Sequence, residues 1–301
     1  MVVDLAVADQ ERVGPRGPQR LGAALDVDDR QPAVAEPAPV DLHGAAVVGP
    51  AVGDALEHPL ELGGVGGSVF GDDPAHLLPV TYPRRGSAYA RSVARLVSVN
   101  VGRPQQLSVR RGRPLMSAIG KAPVEGRVRV AGVNLDGDDQ ADRRVHGGPD
   151  KAVYAYASED AAFWSAELGR ELAPGAFGEN LTTEGLDVSG AVVGERWRVG
   201  DVELEVCQPR LPCNKLALRM GEPQMVKRFA LASRPGAYLR IVVSGVLGAG
   251  DAVEVVSRPA HGVTVRLVSD AILLDEALLL RAASAPALPG ELAAWMRARA
   301  A

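Results

Sequence analysis

Beyond residue 92 the chain runs as short stretches in which apolar and polar residues alternate. Residues 93–101 are dense in Val and Leu and predict a strand, with 105–109 as a second. In 124–133, Val128 and Val130 alternate with Arg127 and Arg129, the mark of a half-exposed strand. Residues 151–157, with Val153, Tyr154 and Tyr156, read as another. A hairpin is expected between 194–199 and 201–207, turning at Gly200. In its second arm Val202, Leu204 and Val206 alternate with Glu203 and Glu205. Residues 237–244 and 252–257 complete the strands, and the glycine-rich 245–251 between them reads as a turn. Residues 134–149 hold Asp, Gly and Asn at turn-forming density and read as a long loop, a feature often functional in compact domains.

Helical periodicity is confined to a few places. Ser158-Glu159-Asp160 looks like an N-cap with an acidic first turn. The helix it opens would run to about Arg170, with Ala161, Trp164 and Leu168 on one face and Gly169 near its end. Residues 222–232 predict a short helix. Residues 261–268 read as a short strand or a lead-in, 270–281 are Leu-rich, and 289–299 form an amphipathic helix carrying Leu292, Trp295 and Met296. Segments this short bury no core alone, so they must pack on the strand-rich body or on a second copy, which leaves room for a homodimer. Many short strands with few helices make this a mainly β chain with some α, a closed or sandwiched β structure. The expected division is 1–92, a low-complexity extension; 93–257, a strand-rich domain; and 258–301, a small helical segment.

The first 92 residues follow another rule. They contain no Lys, Ile, Asn, Cys or Trp, and prolines recur too often for any helix or strand to run far. They hold 13 acidic against 7 basic residues, so they account for the overall charge of -4 and leave the remainder mildly basic. Gly63-Gly64-Val65-Gly66-Gly67 lacks the Lys-Ser/Thr ending of a phosphate loop, and no strand precedes it. Two readings stand for this segment. One is a disordered extension. The other is GC-rich upstream sequence read through from a misplaced start, with Val93 as the natural beginning.

Composition narrows the function classes. An acidic overall balance gives no footprint for nucleic acid. The only two cysteines, Cys207 and Cys213, are too few for a disulfide framework and fit a reducing, cytoplasmic setting. No apolar run reaches the length of a membrane span, and the N-terminus lacks the basic-then-apolar order of a signal peptide.

The chemistry concentrates in three polar stretches. In Gln208-Pro209-Arg210-Leu211-Pro212-Cys213-Asn214-Lys215-Leu216, two prolines end a strand and a helical pattern follows Cys213. Cys213 is thus expected at a strand-to-helix junction, where Arg210, Lys215 and unpaired N–H groups would favour thiolate over thiol; a buried structural thiol is the plainer alternative. Asp142 to Lys151 includes His146-Gly147-Gly148, where paired glycines let backbone approach a ligand closely. Gly178-Glu179-Asn180-Leu181 is a third short turn. Together they offer Lys151, Arg210 and Lys215 for a phosphate, Asn180 for hydrogen bonding and Cys213 as soft ligand or nucleophile. The cysteines with His146 and His261 have no standard zinc spacing. A Cys–His nucleophile pair would need one of those histidines beside Cys213, which spacing alone leaves open.

These three stretches, in this order, resemble the motifs of MOSC domains, the molybdenum cofactor sulfurase C-terminal domains, in their YiiM-like branch. The first spans 137–156 through His146-Gly147-Gly148-Pro149-Asp150-Lys151; the others are Gly178-Glu179-Asn180-Leu181-Thr182 and Gln208 to Cys213. The resemblance covers about residues 95–300, more weakly in the tail, where it implies a shortened three-helix segment. It implies a MOSC-type β-barrel that binds a molybdopterin-type molybdenum cofactor, with Cys213 as thiolate ligand to the metal. His146, Asp150, Lys151, Glu179, Asn180 and Arg210 would line the pocket. At the level of the family alone it also carries pyridoxal phosphate binding. The implied activity is reduction of small N-hydroxylated compounds such as hydroxylaminopurine base analogues. No cysteine cluster for an iron–sulfur centre is present, so electrons would come from a separate reductase. Sulfur transfer through a Cys213 persulfide and a non-catalytic cofactor carrier are the alternatives. Cys207 has no implied role beyond packing.

Because all three motifs lie beyond residue 92, deleting residues 1–92 is expected to leave folding and cofactor binding intact. Soluble yield and bound molybdenum of the truncated protein check this; loss of either would contradict it.

Overall fold

The computed structural model describes residues 93–110, 113–141 and 147–301. The expectations for 1–92 and for His146 lie outside the described residues. The strands are β1 (Arg95–Val101), β2 (Gln105–Arg110), β3 (Arg113–Ser117), β4 (Ala122–Pro123), β5 (Arg127–Ala131), β6 (Asn134–Leu135), β7 (Val153–Ala157), β8 (Leu181–Glu184), β9 (Arg196–Val199), β10 (Val202–Pro209), β11 (Ala237–Val243), β12 (Gly245–Gly248) and β13 (Val253–Ser257). The helices are α1 (Ser158–Leu168), α2 (Asn214–Met220), α3 (Met225–Ala232), α4 (Val265–Leu273), α5 (Leu279–Ala282) and α6 (Gly290–Arg299).

Eight strands form one sheet in the order β13-β9-β10-β11-β7-β8-β1-β4. All its pairings are antiparallel except β7 with β8. The sheet curls round on itself. Leu96 N–H donates to the Asp251 carbonyl at 2.8 Å, Gly250 N–H donates to the Leu96 carbonyl at 2.8 Å, and Arg95 bridges Ala252. The start of β1 therefore meets the lead into β13, and the mainly β, barrel-like expectation holds. Two smaller sheets, β12-β5-β6 and β2-β3, flank it.

β7 is buried along its whole length because it separates two cores. Val153, Ala155 and Ala157 face an aliphatic core with Trp197, Leu204 and Val206. Tyr154 and Tyr156 face an aromatic one with Trp164, Phe177, Leu216 and Phe229. Trp164 is the inward residue of α1, as its spacing predicts, with Ala161 and Leu168 packed beside it. The C-terminal helices have no core of their own. Val268, Leu279, Leu292 and Met296 join the aliphatic core of the strands, so the tail packs on the body of this chain.

Three local expectations are corrected. Residues 245–251 are not a turn throughout: β12 pairs with β5 from Gly245↔Val130 to Gly248↔Arg127. Its glycines answer close backbone approach, since a Cβ on Gly245 would lie 2.7 Å from the Asp201 carbonyl oxygen. The N-cap of α1 is Ala157, and Ser158 is already helical. The acidic first turn serves tertiary contacts instead, with Glu159 accepting from Gly185 N–H at 2.7 Å and buried Asp160 pairing with Arg234 at 2.6 Å. β10 also runs two residues further than its alternation suggests, Gln208 pairing with Tyr238 and Pro209 with Ala237. Pro209 ends the ladder because it has no N–H to extend it.

Leu204 is fully buried in the aliphatic core, whereas Val256 on β13 is half-exposed. Leu204→Ala is expected to destabilise by roughly 2–5 kcal/mol, and Val256→Ala by no more than about 0.5 kcal/mol. Urea unfolding of both variants checks the contrast.

Candidate functional site

The strand-to-helix junction is where the sequence places it. After Pro209 the chain runs through Arg210, Leu211 and Pro212, and Cys213 is the N-cap of α2 in extended conformation. Its thiol makes no capping hydrogen bond and is half-buried. Its carbonyl accepts from Leu216 N–H at 2.9 Å, so the helix starts without the side chain. Arg210 is only 6% exposed. Its guanidinium donates to the Leu211 carbonyl at 3.0 Å and lies 5.6 Å from the Phe229 ring centre. Among the described residues no carboxylate pairs with it. Burial works against its charge, but the facing Cys213, Tyr154 and Tyr238 hold its pKa above the ordinary arginine value.

Among its described residues the second stretch contributes a 3-10 turn, Pro149–Lys151, entered through Gly148 at φ 91. Lys151 lines the same cleft as Arg210, Cys213 and Lys215. Asp150 does not. Its carboxylate pairs with Arg240 at 2.5 Å, and its carbonyl accepts from Cys207 Sγ at 2.9 Å and Gln208 Nε2 at 3.0 Å. Cys207 is fully buried. Burial pushes its thiol far above the ordinary range, which agrees with a packing role and keeps it protonated as a donor.

The third stretch is a structural node. Asn180 N–H donates to the Tyr154 carbonyl at 2.8 Å, and Asn180 Oδ1 accepts from Tyr154 N–H at 3.1 Å. Nδ2 donates to the Asn100 carbonyl at 3.3 Å and to Asp138 Oδ2 at 2.9 Å, while the Asn180 carbonyl accepts from Asn100 N–H at 2.7 Å. Asn180 thus faces the cleft with its amide already engaged on both atoms. Glu179 is buried beneath it, accepting from Gly175 N–H at 2.6 Å, Phe177 N–H at 3.0 Å and Thr182 Oγ1 at 2.9 Å. Burial raises its pKa against those bonds. It shapes the turn from within and does not line the cleft.

The cleft encloses about 620 Å³ counted out to its open mouth. The structure brings Lys151, Asn180, Arg210, Cys213 and Lys215 together there, and it turns Asp150 and Glu179 elsewhere. It also adds residues that sequence reasoning passed over: Ser117, Ile119, Lys121, Asp138, Tyr154, Phe177 and Tyr238. Lys121 forms a buried ion pair with Asp138, the two side chains being 8% and 1% exposed. Burial lowers the Lys121 pKa, and the Asp138 charge opposes that shift. Asp138 also accepts from Gly102 N–H at 2.8 Å. Neither residue stands out from its neighbours in the chain. Only its solitary position in the apolar–basic run before residue 125 marks Lys121 at all.

The comparisons with known proteins meet this geometry. A MOSC domain profile matches residues 142–254, the span holding all three stretches. The uncharacterized protein YflK of Bacillus subtilis is 37% identical over 174 residues, 58% of this chain and 78% of YflK. The chain belongs to the MOSC domain family. Protein YiiM of Escherichia coli is 36% identical over 151 residues, 49% of this chain and 66% of YiiM. A Gibberella moniliformis protein described as a reductase is 33% identical over 168 residues, 54% of this chain but 29% of that protein. The crystal structure of YiiM from Geobacillus stearothermophilus superposes with a TM-score of 0.57 at 29% identity, covering 69% of this chain and all of that one. That of Escherichia coli YiiM gives 0.54 at 26% identity, covering 68% and 92%. The MOSC fold and its YiiM-like likeness therefore stand. Among the described residues no helix is long and apolar enough to cross a membrane.

The Asn180 node yields a discriminating pair of variants. Asn180→Ala removes the partners of Tyr154 N–H and Asp138 and is expected to cost roughly 2–4 kcal/mol. Asn180→Asp keeps an acceptor for Tyr154 but sets a second carboxylate against Asp138, so it should cost more. Urea unfolding ranks them; Asp equal to or milder than Ala would contradict the node.

Proposed function

We propose that the cleft holds a molybdopterin-type molybdenum cofactor and that the protein reduces N-hydroxylated compounds, hydroxylaminopurine-type bases among them, with electrons from a separate reductase. The observation that carries this reading is Arg210, a guanidinium buried without a carboxylate partner among the described residues and open to a cleft lined by Cys213, Lys151 and Lys215. An unpaired buried cation costs several kcal/mol, and a phosphate offers the bidentate acceptor that offsets it. The donor set fits the cofactor. MOSC domains as a family are associated with it. Among the described residues no group of three or more His, Cys, Asp or Glu could hold a metal on its own. A metal carried by a pterin and joined by the single soft thiolate of Cys213 suits such a site.

When bound, the cofactor supplies the two-electron reduction, so that R–NHOH with two electrons and two protons gives R–NH2 and water. The chain's own residues bind and orient. Arg210, Lys151 and Lys215 hold the phosphate, and the stacking of Arg210 near Phe229 keeps its guanidinium oriented. Tyr154, Phe177 and Tyr238 line the cleft on the side of the aromatic core. Tyr154 Oη donates to the Pro235 carbonyl at 2.9 Å, so that ring is fixed beforehand. The reductase description of the fungal relative supports the redox reading.

Three variants test the assignment, read by molybdenum content and a reductase-coupled assay on protein from a cofactor-competent host. Cys213→Ser is expected to abolish reduction with the fold intact, because serine is a harder and far less acidic donor. Cys207→Ser should keep most activity, since the hydroxyl can still donate to the Asp150 carbonyl. Arg210→Ala should deplete the cofactor, losing a charge-assisted contact worth roughly 1.5–3 kcal/mol. Full activity in Cys213→Ser would overturn the ligand assignment. A sulfane-sulfur adduct on Cys213 would point to sulfur transfer, and bound cofactor without turnover to a carrier.

A further inference from the structure

We infer that Arg240 is a positioning residue for the cleft, tying the Asp150–Lys151 turn, and with it the Lys151 ammonium, to the C-terminal segment. The inference rests on the reading that the cleft takes a phosphate-bearing ligand.

The turn that delivers Lys151 is short and has little to hold it from within. It is one 3-10 turn of three residues, its N-cap is glycine, and no side chain caps it. Lys151 N–H donates to the Gly148 carbonyl at 3.1 Å. Three further contacts act on Asp150. The carbonyl is held by Cys207 and Gln208 of β10, and the carboxylate by Arg240 Nε. Arg240 itself stands on β11 and makes two further bonds through Nη1. One goes to Glu205 Oε1 at 2.9 Å and the other to the Ala287 carbonyl at 2.8 Å.

Ala287 lies between α5 and α6, where Ala285 and Leu288 on either side are buried in the aliphatic core. That carbonyl is therefore a fixed point. One guanidinium thus joins the cleft turn, β10 and the tail. Its charge matters as much as its reach, because it stands between two carboxylates, Asp150 and Glu205. Without it they repel each other, and Asp150 is left to compete with a bound anion for the adjacent Lys151. The outward turn of Asp150, unexpected from the motif, acquires a purpose: it gives the carboxylate to Arg240 while Lys151 lines the cleft.

The test uses the full-length chain as wild type, Arg240→Gln, Lys151→Gln and the double variant, with inorganic phosphate as probe. Calorimetry reads phosphate affinity, and hydrogen exchange reads the amides of residues 148–153. Arg240→Gln is expected to speed exchange in 148–153 and to weaken phosphate binding by roughly tenfold, the loss of one charge-assisted contact. If Arg240 acts through Lys151, the double variant binds phosphate no more weakly than Lys151→Gln alone. Arg240→Lys should restore part of the affinity. Should Arg240→Gln fail to fold, Asp150→Asn cuts the same tie and leaves Arg240 its bonds to Glu205 and Ala287. Phosphate bound by wild type with unchanged exchange in the variants, or additive losses in the double variant, overturns the positioning role and leaves the cleft reading standing. No phosphate bound by wild type overturns both.

Discussion

The fold around the cleft depends on one hydrogen-bonded clamp, the Asn180–Asp138 contact and what each partner holds. Asn180 lies immediately before β8 and reaches Tyr154 on β7 and Asn100 at the end of β1. Asp138 stands in the loop after β6 and reaches Gly102 and Lys121. These segments come from far-apart points of the chain and meet where the regular ladder runs out. The Tyr154 N–H and the Asn100 carbonyl there bond to the Asn180 side chain, and leaving such buried groups unpaired would cost roughly 1–3 kcal/mol each. The clamp satisfies several at once, so the cleft floor is coupled to the strands β1, β7 and β8.

Charge in the cleft is divided into two kinds. Lys121 and Asp138 neutralise each other, and such a buried pair is roughly neutral for stability while removal of one partner is costly. Its contribution is shape. Arg210 has no such carboxylate partner among the described residues; its guanidinium has the Leu211 carbonyl and the Phe229 ring beside it. The first cation is paired within the scaffold, the second has no carboxylate partner among the described residues, and both line the same space.

β10 connects these levels. Its inward Leu204 and Val206 build the aliphatic core, its Glu205 holds Arg240, and its Cys207 and Gln208 hold the lysine turn. Its far end then delivers Arg210 and Cys213. One strand therefore sets the barrel, the orientation of Lys151 and the position of the thiol, and the tail joins this arrangement through the Ala287 carbonyl.

Local periodicity was enough for β1, β2, β5, β7, β9, β10, β11 and β13, for the body of α1 and for the hairpin at Gly200, because side-chain alternation and a positive-φ glycine are properties of adjacent residues. The junction at Cys213 was legible for the same reason, since proline stops a ladder wherever it occurs. The strand character of 245–248 was not legible, because glycine signals a turn and a close backbone approach alike, and only the Asp201 carbonyl beside Gly245 decides between them. The direction in which a polar side chain points was likewise beyond the sequence. Asp150 and Lys151 are neighbours in one motif, yet one faces Arg240 and the other the cleft. Asn180 reads as a ligand group and lines the cleft, with its amide engaged by Tyr154, Asn100 and Asp138. Lys121 and Asp138 carry no mark of their own. Burial and pairing are relations between distant residues, so the sequence determined the family and most of the elements, and the tertiary structure alone decided which polar side chains line the cleft.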